Sequence, residues 1–363
     1  MKLTNVASIL MTLCLTLPEA VSAQPKPYQY RTFEDQSITL YPYTGQNIAL
    51  LVPSPNLNEA TLTQIVTVFD AAYDYYEQTT GREPALYFNY NGLGTIAVVP
   101  KTCGAGCGFL GATGIELVNP TFDVLYSGVR NNNEYDQVVF YEFGRNFWFY
   151  GDQVEYKGSD NTGSITTGYA VFMRFMALEA TKVTPGPFNG TDFSVFQAEV
   201  EGLLDLYLAD PSLNWNNTLR LGKAPSNSLN LGATDLFASF LFELRELYGD
   251  QFIQQIWKEV ENRPNASTTQ DAVDNFILAA SAAADENLTS LFVDTWRWPI
   301  SNSAKEEAAN RFGSSKSVPE PASIAGLGLV AGAMFVFGRR RVKKAGKTNV
   351  GWVSTYPTYA AKN

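Results

Sequence analysis

Apolar positions along the chain follow two different spacings, and the change between them falls near residue 131. In the first part the apolar runs are short. Ile38–Tyr41 and Ile48–Val52 have strand length, and "GIELV" is a further strand ended by Asn119-Pro120. "ALYFNYNG" and "GTIAVVP" predict a hairpin around the Asn91-Gly92 turn. One early segment differs. Leu62, Ile65, Val66, Phe69, Ala72 and Tyr73 recur at helical spacing, with Gly81 as a stop.

From Asn131 onward the spacing is helical. Asn133 is the predicted cap of the helix that carries "VVFYEFGRNFWFYG", Val138 to Gly151, with Glu134 and Asp136 favourable in its first turn. Further helices are predicted over Ile165–Ala180, Phe193–Leu208, Thr234–Tyr248, Asp250–Glu261, Thr269–Ala283 and Leu288–Trp296. The fold class is α+β, a strand-rich N-terminal lobe (24–130) followed by a mainly helical lobe (131–300). Ser301–Ser317, rich in small and charged residues, reads as a linker.

The two ends carry targeting signals. Lys2, the apolar stretch Val6–Leu17 and the small residues Val21-Ser22-Ala23 have the form of a secretory signal peptide over 1–23. Near the other end, 318–344 contains Pro319-Glu320-Pro321, an uncharged run Ala322–Gly338 and the cluster Arg339-Arg340-Arg341. The run of 17 residues would span roughly 25 Å as a helix, a transmembrane segment whose flanking arginines snorkel. The basic cluster would stay cytoplasmic and leave the body outside, with 345–363 as a cytoplasmic tail. This order of motif, apolar helix and arginines resembles the PEP-CTERM sorting signal. The resemblance implies a bacterium with an exosortase-like enzyme that cleaves near the motif, and a link to extracellular polysaccharide.

Composition narrows the chemistry. The chain contains no histidine, so His-ligated zinc and His-dependent nucleophilic catalysis are excluded. Between Gln24 and Pro321 there are 18 basic and 35 acidic residues, a net charge of −17 that argues against a nucleic-acid partner. Cys103 and Cys107 are the only cysteines in that span. Two thiols without other soft ligands make a poor zinc site, and in an exported protein they read as a local disulfide bracing "CGAGCGFLGATG".

Within the motif helix, Tyr141, Glu142 and Arg145 stand in a Y-E-x-x-R pattern followed by Asn146-Phe147. Gly144 would cost about 1 kcal/mol in a helix interior, which predicts close packing against another backbone. The stretch "YEFGRNF" resembles "HELGHNF", a common form of the zinc helix in gluzincin-type, zincin-like metallopeptidases. Twenty-two residues after Arg145, "TTGYAVFMRF" is similar to the later family helix that supplies the third ligand. The resemblance implies ligand positions at Tyr141, Arg145 and Thr167, and a general base at Glu142. None of those three side chains suits zinc, so no metal and no cofactor is expected. Arg145 would return a positive charge to the vacated metal space and pair with Glu142 or another acid.

The sequence thus predicts an exported, surface-sorted or membrane-anchored protein. Its zincin-like body is catalytically inactive and binds peptide, glycan or extracellular matrix. A metal-independent hydrolase using Glu142 and Arg145 is one alternative. A purely structural surface protein is another. Aromatic clusters such as "FNYNG", "NFWFY" and "TWRWP" offer stacking surfaces for sugars, although core packing accounts best for Phe147 and Trp148.

Overall fold

The computed structural model describes residues 25–315. The predicted signal peptide, the Pro319-Glu320-Pro321 motif, the apolar run and the arginine cluster lie outside the described residues. Among the described residues, no helix is long and apolar enough to cross a membrane.

The N-terminal half is built on one mixed sheet. Its strands are β1 (Tyr28–Arg31), β2 (Ser37–Thr44), β3 (Ile48–Val52), β4 (Asn89–Tyr90), β5 (Leu93–Val99), β6 (Gly106–Gly108) and β7 (Ile115–Val118). The order is β1-β2-β3-β5-β7-β6, with β4 hairpinned onto β5. Strands β3, β5 and β7 run parallel, and the flanking pairs are antiparallel. Every residue of β3 (IALLV) is buried, as a central parallel strand requires. The β4–β5 turn places Asn91 and Gly92 at φ 53° and 88°, the conformation that selects Asn-Gly in hairpins.

Helix α1 (Glu59–Thr80) connects β3 to β5. Asn58 caps it by accepting from the Thr61 N–H, and Gly81 ends it in the left-handed region at φ 74°. Its predicted stripe is buried throughout. Helix α2 (Asn119–Asn132) follows β7, where the sequence reading ended a strand and assigned nothing. Pro120 in the first turn marks its start, and Phe122, Leu125 and Val129 form its buried side. Asn133 therefore caps the end of α2 rather than the start of the motif helix. It sits at φ 56°, and its N–H donates to Gly128 and Val129 carbonyls.

The second half is helical. Short strands β8 (Glu134–Tyr135) and β9 (Thr184–Pro185) pair across it. The motif forms α3 (Val138–Asn146), followed by the single turn α4 (Gly151–Val154). Helix α5 (Ser164–Thr181) is buried on nearly all sides and forms the axis of the lobe. Around it stand α6 (Phe193–Glu201), α7 (Leu203–Ala209), α8 (Ala233–Tyr248), α9 (Asp250–Glu261) and α10 (Thr269–Ala284). The single helix predicted over 193–208 is broken at Gly202. The predicted helix over 288–296 is a π-turn, Leu291–Thr295. The predicted linker contains α11 (Asn302–Phe312), whose Ala304 and Ala308 are buried beside Leu278. Small residues that suggested a tether instead permit close helix packing. Trp296 and Trp298 are core residues, and Arg297 lies over the Tyr207 ring at 4.8 Å.

Two glycines set the helix spacing. A Cβ on Gly144 would stand 2.7 Å from Ala170 Cα, so α3 and α5 touch backbone to backbone. A Cβ on Gly168 would stand 2.7 Å from the Thr234 carbonyl oxygen, where α5 meets α8. Gly144→Ala should therefore destabilise the protein by about 1–3 kcal/mol, although alanine is the better helix former. Urea denaturation checks this; an unchanged or raised midpoint would contradict the close approach.

Candidate functional site

Val138, Glu142 and Asn146 recur every fourth residue and form one stripe along α3. Edge strand β6 lies on that stripe. A Cβ on Gly106 would stand 2.5 Å from Val138 Cγ1 and 3.3 Å from Glu142 Cγ. One on Gly108 would stand 2.9 Å from the Glu142 carbonyl oxygen and 3.1 Å from its Oε2. Only a strand with one bare face fits there. Alternation supplies it: Gly106 and Gly108 face the helix, while Cys107 points to the other face beside its cross-strand partner Glu116. The contact is tied further along the chain. Asn146 Nδ2 donates to the carbonyl oxygens of Phe109 (3.0 Å) and Gly114 (3.3 Å), and the Gly111 N–H donates to the Arg145 carbonyl (3.2 Å).

Glu142 is sealed by this arrangement, with 4% of its surface exposed. Its Oε2 meets no hydrogen-bond donor among the described residues. Burial pushes its pKa up to about 7, against the lowering effects of the Arg145 guanidinium and the Gly108 N–H.

Arg145, one turn beyond Tyr141, is half-buried. Burial raises the pKa of Glu155 against three lowering effects, the hydrogen bond from Thr166 Oγ1, the Lys157 charge and, least, the Arg145 charge. Among the described residues Arg145 makes no ion pair within 4.0 Å. The expected pair with Glu142 or another acid is thus not formed among the described residues, and the guanidinium acts on Glu142 and Glu155 at longer range. Thr167, half-buried, follows Thr166 in the first turn of α5, one turn before Ala170. Because Gly144 rests on Ala170, Arg145 and Thr167 lie on adjoining turns of two packed helices. Tyr141 is 8% exposed and belongs to the core.

These side chains do not fit a zinc ion. A guanidinium has no lone pair to give, and the hydroxyls of Tyr141 and Thr167 are weak donors in their protonated form. Among the described residues no three His, Cys, Asp or Glu side chains are grouped to hold a metal. Cys103 and Cys107 are joined by a disulfide on the outer side of β6.

The sequence reading did not single out Glu155 or the role of β6. Glu155 lies in a loop with no motif around it. For β6 the signal was present: Gly104, Gly106 and Gly108 alternate, which is the pattern of a strand with one bare face. A second buried polar group was also missed. Arg174, 3% exposed, lies over the rings of Phe175, Phe188 and Phe196 at 4.7–4.9 Å and lowers the pKa of Asp136 and Asp235, both raised chiefly by burial.

Beyond β6 the surface becomes aromatic. Leu86, Tyr87 and Leu110 are 56%, 61% and 43% exposed. The Tyr87 ring packs edge-on against Phe88 and Phe109, each at 5.1 Å, and those two stack at 5.3 Å. The segment is held firmly: Phe88 N–H donates to the Thr113 carbonyl, and Tyr87 N–H to Thr113 Oγ1.

No family model matches the chain, and no curated protein matches it. Several solved structures are similar at low identity. One is a conserved protein of unknown function from Bacillus anthracis (11% identity, 75% of this chain and 51% of that one, TM-score 0.49). Another is the catalytic module of the metalloprotease ZmpA from Clostridium perfringens (10%, 77% and 49%, TM-score 0.49). A third is a metallopeptidase in complex with Tn antigen (12%, 77% and 52%, TM-score 0.47). The chain spans about half the length of these solved chains.

The raised pKa of Glu142 has a measurable consequence. Its carboxyl holds a proton in the folded state that the unfolded chain releases near pH 4.5. Stability is therefore greatest below about pH 4.5 for this group, and falls as pH rises to about 7, by about 3 kcal/mol. Glu155 adds in the same direction. In Glu142→Gln, thermal melts from pH 4 to 8 should show a flatter profile than wild type; an identical slope would contradict the burial of this carboxyl.

Proposed function

We propose that this chain is an exported bacterial surface protein whose zincin-like body no longer works as a metallopeptidase and instead binds an extracellular glycan. The supporting observation is the state of Glu142. It keeps the position of a general base, but an edge strand lies directly on it and the neighbouring ligand positions carry Tyr141, Arg145 and Thr167. Without a metal-bound water or an open face beside the carboxylate, peptide hydrolysis has neither nucleophile nor access. The fold contributes an edge strand, the motif helix and a second helix touching it through Gly144, in the order a zincin would have.

Export rests on the N-terminal signal sequence and on the disulfide, which an oxidising compartment favours. Surface sorting or anchoring rests on the PEP-CTERM-like tail, with an exosortase-like enzyme and the membrane as partners. On this reading the ligand stacks on the aromatic surface around Tyr87. Rings held rigidly at the surface stack on the C–H faces of sugars, and a neutral glycan carries no charge for the acidic body to repel.

Affinity electrophoresis through gels containing neutral bacterial polysaccharides tests this reading. Retardation of the wild-type protein, reduced about tenfold in apparent affinity by Tyr87→Ala, is the expected result. Equal mobility with and without polysaccharide, or retardation that Tyr87→Ala leaves unchanged, would refute glycan binding at this surface.

A further inference from the structure

We infer that the long groove between β2 and α1 is a second binding site, separate from the Tyr87 surface, and that it takes a cationic amino-sugar oligosaccharide. The groove has a volume of about 980 Å³. One wall is a stripe of α1. Glu59, Thr63, Asp70 and Asp74 follow one another at helical spacing and share a face that runs roughly 22 Å along the helix. The other wall is the end of β2, from Pro42 to Thr44, and the turn at Gly45 and Gln46 that follows it. Asp70 holds this wall in place. Its carboxylate oxygens accept from the N–H groups of Gln46 (2.7 Å), Asn47 (2.9 Å) and Ile48 (3.1 Å), and a Cβ on Gly45 would collide with them. The groove is therefore preformed, and Asp70 serves the wall rather than a ligand.

The lining selects the ligand. Tyr43 presents a half-buried ring with no aromatic partner among the described residues. Its hydroxyl, the Thr63 hydroxyl and the side-chain amides of Gln46 and Asn56 make no hydrogen bond among the described residues, so donors and acceptors stand unused along one groove. A ring beside planar amides and hydroxyls fits a sugar, whose C–H face stacks and whose hydroxyls both donate and accept. Charge narrows the class. No lysine or arginine lines the groove among the described residues. Glu59 stands at one end, near enough to Tyr43 to raise its pKa, second to burial. Asp74 stands at the other end and accepts only from Asn47 Nδ2 (2.6 Å) among the described residues. An ammonium group on the sugar would give Asp74 a charge-assisted bond, whereas an acidic sugar would be repelled. A lysine-rich peptide brings ammonium groups too, but no rigid apolar face for Tyr43 and no hydroxyls for Thr63, Gln46 and Asn56.

This site differs from the Tyr87 surface in place and in the charge of its ligand, so failure of neutral-polysaccharide binding would leave it standing. Calorimetric titration of the full chain with a glucosamine tetrasaccharide tests it, at low salt and mildly acid pH where the amines are charged. The N-acetylated tetrasaccharide and tetralysine are the comparison ligands. The expected result is saturable binding of the amino sugar, about tenfold tighter than either comparison ligand. Asp74→Asn keeps an acceptor for Asn47 and should weaken that binding about fivefold; Tyr43→Ala should weaken it about tenfold. Tyr87→Ala should change it less than about twofold, as should Glu246→Gln, which lies in a different acidic hollow beside α8. Equal binding of the N-acetylated sugar would overturn the inference, because the charge would then not be read. Equal binding of tetralysine would overturn it in favour of a cationic peptide. So would binding that Asp74→Asn leaves intact, or that Glu246→Gln weakens as much, since the acidic surface as a whole would then hold the ligand.

Discussion

Backbone-to-backbone contact on two sides of α3 is the constraint on which this structure depends. On one side Gly144 lets the helix touch α5 at Ala170. On the other, Gly106 and Gly108 let β6 lie on Glu142. Ordinary side chains at these three positions would force the sheet, the motif helix and the helical lobe apart. The two halves of the molecule therefore meet at α3, and the residues there are fixed by packing more tightly than their polar chemistry alone would suggest.

This constraint explains how a buried carboxylate persists without a cation in contact. Glu142 is held by its neighbours, and the cost falls on its ionisation, which shifts towards neutral pH. Arg145 moderates that cost from a distance and shares its charge with Glu155. The result is a small polar layer inside an aromatic core, in which Arg145 acts on both acids and Lys157 also acts on Glu155. The aromatic surface around Tyr87 adjoins the end of β6, where Phe109 follows Gly108.

Much of the fold was legible in the sequence, because it follows from strong periodicity. Helix α1, the Asn91-Gly92 hairpin, α5 and α8 to α10 all stand where apolar spacing and turn residues place them. The misses share a physical cause. Helix α2 contains Asn and an internal Gly, and announces itself only through Pro120. Helix α11 has alanines as its buried residues, which on a sequence look like a flexible tether. At the site, the motif located Tyr141, Glu142, Arg145 and Thr167 on adjoining helices. It could not reveal that a strand covers Glu142, since that contact joins residues more than thirty positions apart.

The central claim of the proposed reading is that the motif helix builds no zinc centre. Zinc content of the purified protein, measured by mass spectrometry after equilibration with excess zinc and exhaustive dialysis, tests it most directly. The account predicts far less than one zinc per chain, unchanged in Glu142→Gln. One tightly held zinc per chain, whether or not Glu142→Gln retains it, would contradict it.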